Sequence, residues 1–305
     1  MILASASSDK TLRIWDIKTG KYEHILEGHS ESVRSVVFSH DSTKLASASH
    51  DKTVRIWNAD TGDCERVLEG HRSSVNSVVF SHNSMMVASA SNDKTIRIWN
   101  ADTGDCERVL EGHSFVVISV AFSHDSTKVA SASYDKTVRV WDAKIGKCEH
   151  ILEGYRDWVN SVVFSHDSIV VASASYDKTI QIWDIKPRKY EHILEGHSSS
   201  VHSVIFSHDS MMVASASLDT AVRIWNTKTG KCEHVLQGHS NSVNSVVFSH
   251  DSTKLASASR DKTVRIWNAK TRRCEHVLEG HSGSVGSVVF SHDSTIVASA
   301  SYDKT

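Results

Sequence analysis

Short runs in which hydrophobic and polar residues alternate recur along the whole chain, separated by clusters of turn-forming residues. One stretch contains four such runs, which we call strands a, b, c and d, at residues 33–39, 44–49, 53–59 and 64–69. The intervening residues are rich in Asp, Ser and Gly, which form turns by bonding to the nearby backbone and by tolerating positive φ. Strands of about 5–7 residues at a spacing of about ten residues indicate an antiparallel all-β protein.

This four-strand pattern repeats with a constant period of 42 residues. A tryptophan in strand c keeps the step through the chain, at Trp15, Trp57, Trp99, Trp141, Trp183, Trp225 and Trp267. The aspartate six residues before each tryptophan keeps it too, in a series that runs from Asp9 to Asp303 without insertion or deletion. A fixed period of this length is typical of propellers and solenoids.

Composition narrows the function classes. The chain has 305 residues, of which 39% are hydrophobic and 23% charged, as in a folded globular domain. Its formal net charge of −2 argues against a general nucleic-acid binder and against a polybasic membrane-surface protein. No apolar run approaches the roughly 18 residues of a membrane span, and residues 1–10 lack the regions of a signal peptide. We therefore expect neither a specific nucleic-acid partner nor a membrane partner.

The cysteines and histidines follow the repeat. Five cysteines share the first position of strand d in different repeats, too far apart for disulfides, and an odd number of reduced thiols indicates a cytoplasmic or nuclear protein. Of the 20 histidines, only His50 and His202 fall outside constant positions of the repeat. One histidine per repeat at each position predicts that they belong to separate structural units and not to one coordination sphere, so we expect no metal site. The chain has no GxxxxGK[ST] segment and therefore no nucleotide-binding P-loop, and we expect no cofactor.

The 42-residue period, the Gly-His pairs and the Trp-Asp or Trp-Asn pairs together resemble the WD-repeat family of β-propellers. The resemblance covers the whole chain and implies four-stranded blades around a central channel. It predicts one domain over residues 1–305, a seven-bladed propeller whose last blade combines N-terminal strands b, c and d with a C-terminal strand a. Two copies of strand b, residues 2–7 and 296–301, compete for one place in that blade, and the sequence does not decide between them. The displaced copy could pair with a second chain, and the repeats look cut from a longer array.

The resemblance also implies a structural tetrad of His, Ser, Asp and Trp in each blade. The five complete sets are His29, Ser47, Asp51 and Trp57; His71, Ser89, Asp93 and Trp99; His113, Ser131, Asp135 and Trp141; His197, Ser215, Asp219 and Trp225; and His239, Ser257, Asp261 and Trp267. Ser49 lies on the same face of strand b as Ser47, so the choice of serine stays open. A Ser-His-Asp set also resembles a hydrolase triad, but a catalytic set should occur once rather than in every blade. We therefore expect no enzyme activity.

One blade departs from this pattern. Tyr155 stands where the histidine of Gly-His is expected, in the blade that contains Ser173, Asp177 and Trp183. We expect this blade to lose its histidine link and to be locally softer.

The repeats differ mainly in the connection from strand d to the next strand a and in the turn from strand b to strand c. Both connections open on the same rim of a propeller, so the variable residues form a candidate partner-binding face. These residues are Arg34, His50, Asn76, Asn92, Phe115, Val116, Ile118, Tyr134, Asp157, Trp158, Asn160, Tyr176, His202, Leu218, Asn244 and Arg260.

The variable face favours a non-enzymatic module that binds a protein or an exposed ligand. Phe115, Tyr134, Tyr155, Trp158 and Tyr176 cluster in two successive repeats, as at an interface hot spot. In a different interpretation, Tyr155 and Trp158 fill the space left by the missing histidine. Near-identical repeats with one variable face also resemble the sensor region of fungal NACHT-type receptors. The alternative function is a scaffold subunit of a ubiquitin-ligase, RNA-processing or G-protein-β-like complex, which would bind through several surfaces.

Overall fold

The computed structural model describes residues 2–16, 19, 21–186, 189–291 and 293–303. Every regular element within these ranges is a β-strand. The predicted fold class is confirmed: the chain is an all-β, seven-bladed β-propeller with antiparallel blades. The chain divides into two compact units, Met1–Gly154 and Tyr155–Thr305.

The first unit contains one three-stranded sheet, in the order β1-β2-β3, followed by sheets of four strands each, β4–β7, β8–β11 and β12–β15. Its strands are β1 (Ile2–Ala6), β2 (Leu12–Asp16), β3 (Lys21–Leu26), β4 (Val33–Phe38), β5 (Lys44–Ser49), β6 (Val54–Asn58), β7 (Cys64–Leu68), β8 (Val75–Phe80), β9 (Met86–Ser91), β10 (Ile96–Asn100), β11 (Cys106–Leu110), β12 (Val117–Phe122), β13 (Lys128–Ser133), β14 (Val138–Asp142) and β15 (Cys148–Leu152).

The second unit contains the four-stranded sheets β16–β19, β20–β23 and β24–β27, and the hairpin β28–β29. Its strands are β16 (Val159–Phe164), β17 (Val170–Ser175), β18 (Ile180–Asp184), β19 (Lys189–Leu194), β20 (Val201–Phe206), β21 (Met212–Ser217), β22 (Val222–Asn226), β23 (Cys232–Leu236), β24 (Val243–Phe248), β25 (Lys254–Ser259), β26 (Val264–Asn268), β27 (Cys274–Leu278), β28 (Val285–Phe290) and β29 (Val297–Ser301).

Both candidate copies of strand b form. One is β1, which pairs with β2, and the other is β29, which pairs with β28. Each therefore lies at an edge of its own sheet.

The hydrophobic cores lie between successive sheets rather than within one sheet. In the first unit, Ile56 and Leu68 of one blade pack in the same buried cluster as Val75, Phe80 and Trp99 of the next. The same arrangement recurs between β16–β19 and β20–β23 in the second unit. Because each blade buries its face against a neighbour, the alternation of strands b and c is required in every repeat.

Strand a carries one extra residue at its start. Val33 pairs with Ser49, but Ser35 pairs with Ala48, so Arg34 has no partner in the ladder. A β-bulge of this kind re-aims a side chain. The same shift occurs in the equivalent strands, where the extra residue is Asn76, Ile118, Asn160, His202, Asn244 or Gly286.

The turn from strand b to strand c differs from the sequence prediction in one respect. The residue with positive φ is Lys52 (φ 74°), not one of the expected Asp, Ser or Gly residues. The Asp51 carboxylate accepts hydrogen bonds from both the backbone and the hydroxyl of Thr53, and the Asp51 N–H donates to Ser49 Oγ. These side-chain bonds hold the turn and offset the strain of a left-handed lysine.

Candidate functional site

A buried chain of hydrogen bonds joins strands b and c to the preceding d–a connection. In the sheet β4–β7, Trp57 Nε1–H donates to Ser47 Oγ at 2.8 Å, and Ser47 Oγ lies 2.7 Å from His29 Nε2. His29 Nδ1 lies 2.7 Å from Asp51 Oδ2. A neutral imidazole protonated on Nδ1 fits both contacts, because it donates to the carboxylate and accepts from the hydroxyl.

The structure places all five sequence-predicted sets in this geometry. Across them, the Trp–Ser distance is 2.8–2.9 Å, and the His–Ser and His–Asp distances are 2.7–2.8 Å. Ser47, rather than Ser49, is the serine of the buried hydrogen-bond chain. Ser49 Oγ instead donates to the carbonyls of Glu31 and Ser32 in the d–a connection.

This hydrogen-bonded set of Ser, His and Asp resembles a hydrolase triad only in its residue types. The Ser47 hydroxyl is fully buried and already accepts the Trp57 indole N–H. A substrate carbonyl has no route to this oxygen, so the arrangement stabilises the blade and does not present a nucleophile.

Parts of the same hydrogen-bond chain occur in the two sheets with fewer than four strands, β1–β3 and β28–β29. In the first unit, Trp15 Nε1–H donates to Ser5 Oγ at 2.9 Å. In the second unit, His281 Nε2 lies 2.9 Å from Ser299 Oγ, and His281 Nδ1 lies 3.1 Å from Asp303 Oδ2.

Burial favours the neutral form of three of the tetrad histidines. It lowers the pKa of His29, His113 and His239 below the usual 6.5, although the neighbouring aspartate acts in the opposite direction. For Asp219, burial alone raises the pKa, but the hydrogen bond and charge of His197 lower it to about 2.

Tyr155 takes the place of the histidine in the blade β16–β19. Its side chain is only 7% exposed, its hydroxyl accepts the Trp183 Nε1–H at 3.1 Å, and it makes a short hydrogen bond with Ser173 Oγ. A tyrosine link to the serine and the tryptophan therefore replaces the histidine link, and the expectation that this blade is locally softer stays a prediction. The tyrosine ring reaches as far as an imidazole and brings a hydroxyl to the serine. Tyr155 belongs to the buried core and not to the variable face.

Replacing Tyr155 by Phe should lower the free energy of unfolding by roughly 1–2 kcal/mol, because the indole and serine lose a buried partner. Chemical denaturation measures the change. Tyr302→Phe is the matched control, because Tyr302 is exposed. Equal unfolding midpoints for the two variants would show that the hydroxyl does not support the blade.

The d–a connection and the b–c turn of each blade are joined by one backbone hydrogen bond. The His50 N–H donates to Ser32 O at 3.0 Å, and the Tyr176 N–H donates to Trp158 O at 2.8 Å. Asn92, Tyr134, Leu218 and Arg260 make the equivalent bond at 2.9–3.0 Å. Within each blade, the variable positions are therefore neighbours. We call the surface formed by these two connections the recognition face.

Exposure divides the candidate residues of this face. The exposed ones are Arg34, His50, Asn92, Phe115, Asp157, Trp158 and Arg260. The half-buried ones are Asn76, Val116, Ile118, Tyr134, Asn160, Tyr176, His202, Leu218 and Asn244.

In the second unit, the structure brings three rings of the recognition face together. Trp158 and Tyr176 meet edge to face with ring centroids 5.5 Å apart, and Tyr176 lies 5.6 Å from His202. His202 belongs to the next blade along the chain, so the cluster spans two blades. Burial and, secondly, the charge of Arg260 lower the pKa of His202.

Three asparagines of the predicted face have a structural role that the sequence did not reveal. Asn76 Nδ2 donates to Val117 O at 2.9 Å, Asn160 Nδ2 to Val201 O at 3.1 Å, and Asn244 Nδ2 to Val285 O at 2.7 Å. Each bond ties a bulge residue to the first residue of strand a in the next blade. The only sequence signal for this role was that asparagine recurs at the same position of three repeats.

Exposed apolar side chains are not confined to the recognition face. Met85 and Met211 lie in turns between strands a and b, and Ile145 lies in a turn between strands c and d. Exposure alone therefore does not mark a binding site.

Comparison with known proteins decides the family. The family described as "WD domain, G-beta repeat" matches residues 1–16, 20–58, 62–100, 104–142, 146–184, 188–226, 230–268 and 272–305. The chain belongs to this family. WD-repeat propellers typically serve as protein-interaction modules or scaffolds and are generally non-catalytic.

Curated relatives match over one WD repeat or slightly more. The chain is 52% identical over 46 residues to the WD repeat and SOCS box-containing protein 1 of Homo sapiens, which is 15% of this chain and 11% of that protein. It is 51% identical over 41 residues to the F-box-like/WD repeat-containing protein TBL1Y of Homo sapiens, 13% of this chain and 8% of that protein. A Lissencephaly-1 homolog of Monosiga brevicollis is 33% identical over 44 residues, 14% and 11% of the two chains. The matches therefore span about a tenth of each relative.

The WD repeats also stack histidines from the turns between strands a and b. Ring centroids are 4.1 Å apart for His40 and His82, and 3.9 Å apart for His82 and His124. In the second unit, His208 lies 4.5 Å from His166 and 4.1 Å from His250. The seventh member, His292, lies outside the described residues. These histidines come from separate blades, and their rings are in contact because the turns of successive blades are adjacent.

Within the described ranges, no group of three or more His, Cys, Asp or Glu side chains is arranged to hold a metal ion. The same ranges contain no helix with the length and hydropathy of a membrane span.

Proposed function

We propose that this WD-repeat propeller is a non-enzymatic module that binds a protein partner through the recognition face. The observation that carries the proposal is Trp158. Its indole is 40% exposed and packs edge to face on Tyr176, at a position where five other repeats have serine. Tryptophan is enriched at the centre of protein interfaces, where it supplies a large apolar contact area.

The surroundings of Trp158 fit an interface. Asp157 and Arg260 are exposed charged residues on the same face, and Leu218 is a half-buried apolar one. In the first unit, Phe115 is 49% exposed and is followed by the half-buried Val116. An apolar centre with charged neighbours is the usual composition of a recognition surface.

Trp158→Ser is expected to weaken binding by at least about tenfold, the loss typical of an interface anchor, with little change in stability. Partners captured by the intact chain would be identified by quantitative mass spectrometry. The affinity of each purified partner would then be measured for the wild type, for Trp158→Ser and for Met211→Thr. The last variant is the matched control, because Met211 is an exposed apolar residue in an a–b turn and other repeats have threonine there.

A partner lost only with Trp158→Ser supports the proposal. A large fall in the unfolding midpoint of Trp158→Ser, with unchanged affinity for the captured partner, would show that the indole is part of the core.

The alternative is a scaffold subunit. The names of two relatives include a SOCS box and an F-box-like region, which favours a role in a larger assembly. Partners that bind through the a–b turns as well as the recognition face would support this alternative. The sensor role of NACHT-type receptors, the cytoplasmic location and strand exchange between copies through β1 or β29 stay predictions.

A further inference from the structure

A pocket of about 270 Å³ opens in the first unit beside the sheet β8–β11. Three cationic side chains line it, each from a different segment. Arg72 comes from the d–a connection before β8, Lys94 from the turn between β9 and β10, and Arg97 from β10 itself. Arg72 and Lys94 lie in the two connections that form the recognition face, but neither they nor Arg97 are among its candidate partner-binding residues, so this site is tested separately from Trp158.

The local structure fixes the Arg97 guanidinium before any ligand binds. Its central carbon lies 5.7 Å from the centre of the Trp99 ring, and one terminal nitrogen lies 3.5 Å from Cys106 Sγ. Gly70 closes the remaining side: a Cβ there would come within 2.7 Å of the guanidinium. A charged group held in one orientation loses little conformational entropy when it binds an anion.

The three cationic side chains of the pocket are not paired with neighbouring carboxylates. Within the described part of the chain, no ion pair involves Arg72, Lys94 or Arg97. Asp93 also lines the pocket, but its carboxylate is occupied by hydrogen bonds from His71, Thr95 and the Arg72 backbone. Glu111 is the other acidic residue of the lining, so three cations outnumber two carboxylates, one of which is fixed by its own hydrogen bonds.

Comparison of the repeats shows that this combination is specific to one blade. Five repeats have serine at the position of Arg72, namely Ser30, Ser114, Ser198, Ser240 and Ser282. The other arginine at this position is Arg156, but its repeat has Gln181 in place of Arg97. Only the blade β8–β11 therefore combines all three cations.

We propose that this pocket binds a phosphate monoester dianion. Two guanidinium groups and one ammonium can surround a tetrahedral dianion with charge-assisted hydrogen bonds. Both the attraction to three cations and the repulsion from Asp93 and Glu111 scale with the charge of the ligand, so a singly charged carboxylate would gain less than a dianion from the net positive charge of the pocket. The phosphate belongs either to a small molecule or to a phosphorylated side chain of a protein, and the two sources share this chemistry.

The test uses the full chain and isothermal titration with three probes: inorganic phosphate, O-phosphoserine, and a glycine-flanked phosphoserine peptide beside its unphosphorylated form. Arg72→Ser introduces the residue that most repeats use and is expected to weaken phosphate-probe binding at least about tenfold. Lys94→Thr, which copies Thr220 of another repeat, should weaken it in the same direction. Arg156→Ser is the matched control and should leave binding unchanged.

Tighter binding of the phosphopeptide than of O-phosphoserine identifies a protein source, and the reverse order identifies a small molecule. Either result supports the site, provided that Arg72→Ser and not Arg156→Ser reduces it. The proposal is overturned if none of the phosphorylated probes binds at millimolar concentration, or if both arginine variants reduce binding equally. Capture of the partner through Trp158 is measured separately, so failure of either proposal leaves the other intact.

Discussion

Replacing Asp93 by Ala is expected to lower the free energy of unfolding by roughly 1–3 kcal/mol, because it leaves buried donors without an acceptor. Asp93 Oδ2 accepts from His71 Nδ1 and from the Arg72 backbone, both at 2.8 Å. Its other oxygen accepts from the backbone of Thr95 at 3.0 Å and from the hydroxyl at 2.7 Å. One carboxylate therefore holds both the b–c turn and the d–a connection.

Urea denaturation of the full chain measures this effect, with Asp105→Ala as the matched control. Asp105 lies in the turn between β10 and β11 of the same blade and is exposed, so the control removes the same charge without a buried partner. We expect the midpoint of the control to stay close to that of the wild type. A midpoint of Asp93→Ala that also stays at the wild-type value would show that the hydrogen-bond chain does not stabilise the blade.

Acidification is expected to lower the free energy of unfolding in two successive pH ranges. The pKa of His29, His113 and His239 lies below 6.5 in the folded state. The unfolded chain therefore binds protons first, and stability falls as the pH drops below about 6.5. Asp219 and Asp261 have a pKa of about 2 instead of 3.8. Their contribution to the free energy of unfolding is fully present above pH 3.8 and is lost as the pH falls from 3.8 towards about 2. Stability is therefore highest near neutral pH.

The chain itself offers a control for the histidine part of this effect. His239→Tyr copies the arrangement of Tyr155, which replaces the titrating ring by a hydroxyl while keeping contact with the serine. We expect the free energy of unfolding of this variant to fall less steeply between pH 7 and pH 5 than that of the wild type, because one fewer buried histidine takes up a proton on unfolding. Unfolding curves at several pH values measure the slope. Stability that is flat or rises on acidification over this range would contradict the assignment of neutral buried histidines.

Much of the fold could be predicted from residues close together in the chain. Alternation in runs such as 44–49, turn residues between them and the constant spacing of Trp57 and Trp99 specify antiparallel strands and their repetition. Strand b of the representative repeat begins and ends in the structure where the pattern predicted, and strands a, c and d are shorter by one or two residues. Identical repeats must bury identical faces, so local pattern and period were sufficient for the architecture.

The sequence by itself thus determined the strands, their order and the fold class, and it marked the positions where the repeats differ. Only the tertiary structure decided what those positions do. Tyr155 is buried in the core, and Asn76 joins two blades by a hydrogen bond. Trp158 is partly exposed, and Arg72 and Arg97 line the same pocket. The physical reason is range: alternation and turn chemistry act between neighbours in sequence, whereas these contacts join residues from different strands or different blades. A side chain's role there depends on whether the facing segment offers it a hydrogen-bond partner, a packing surface or water.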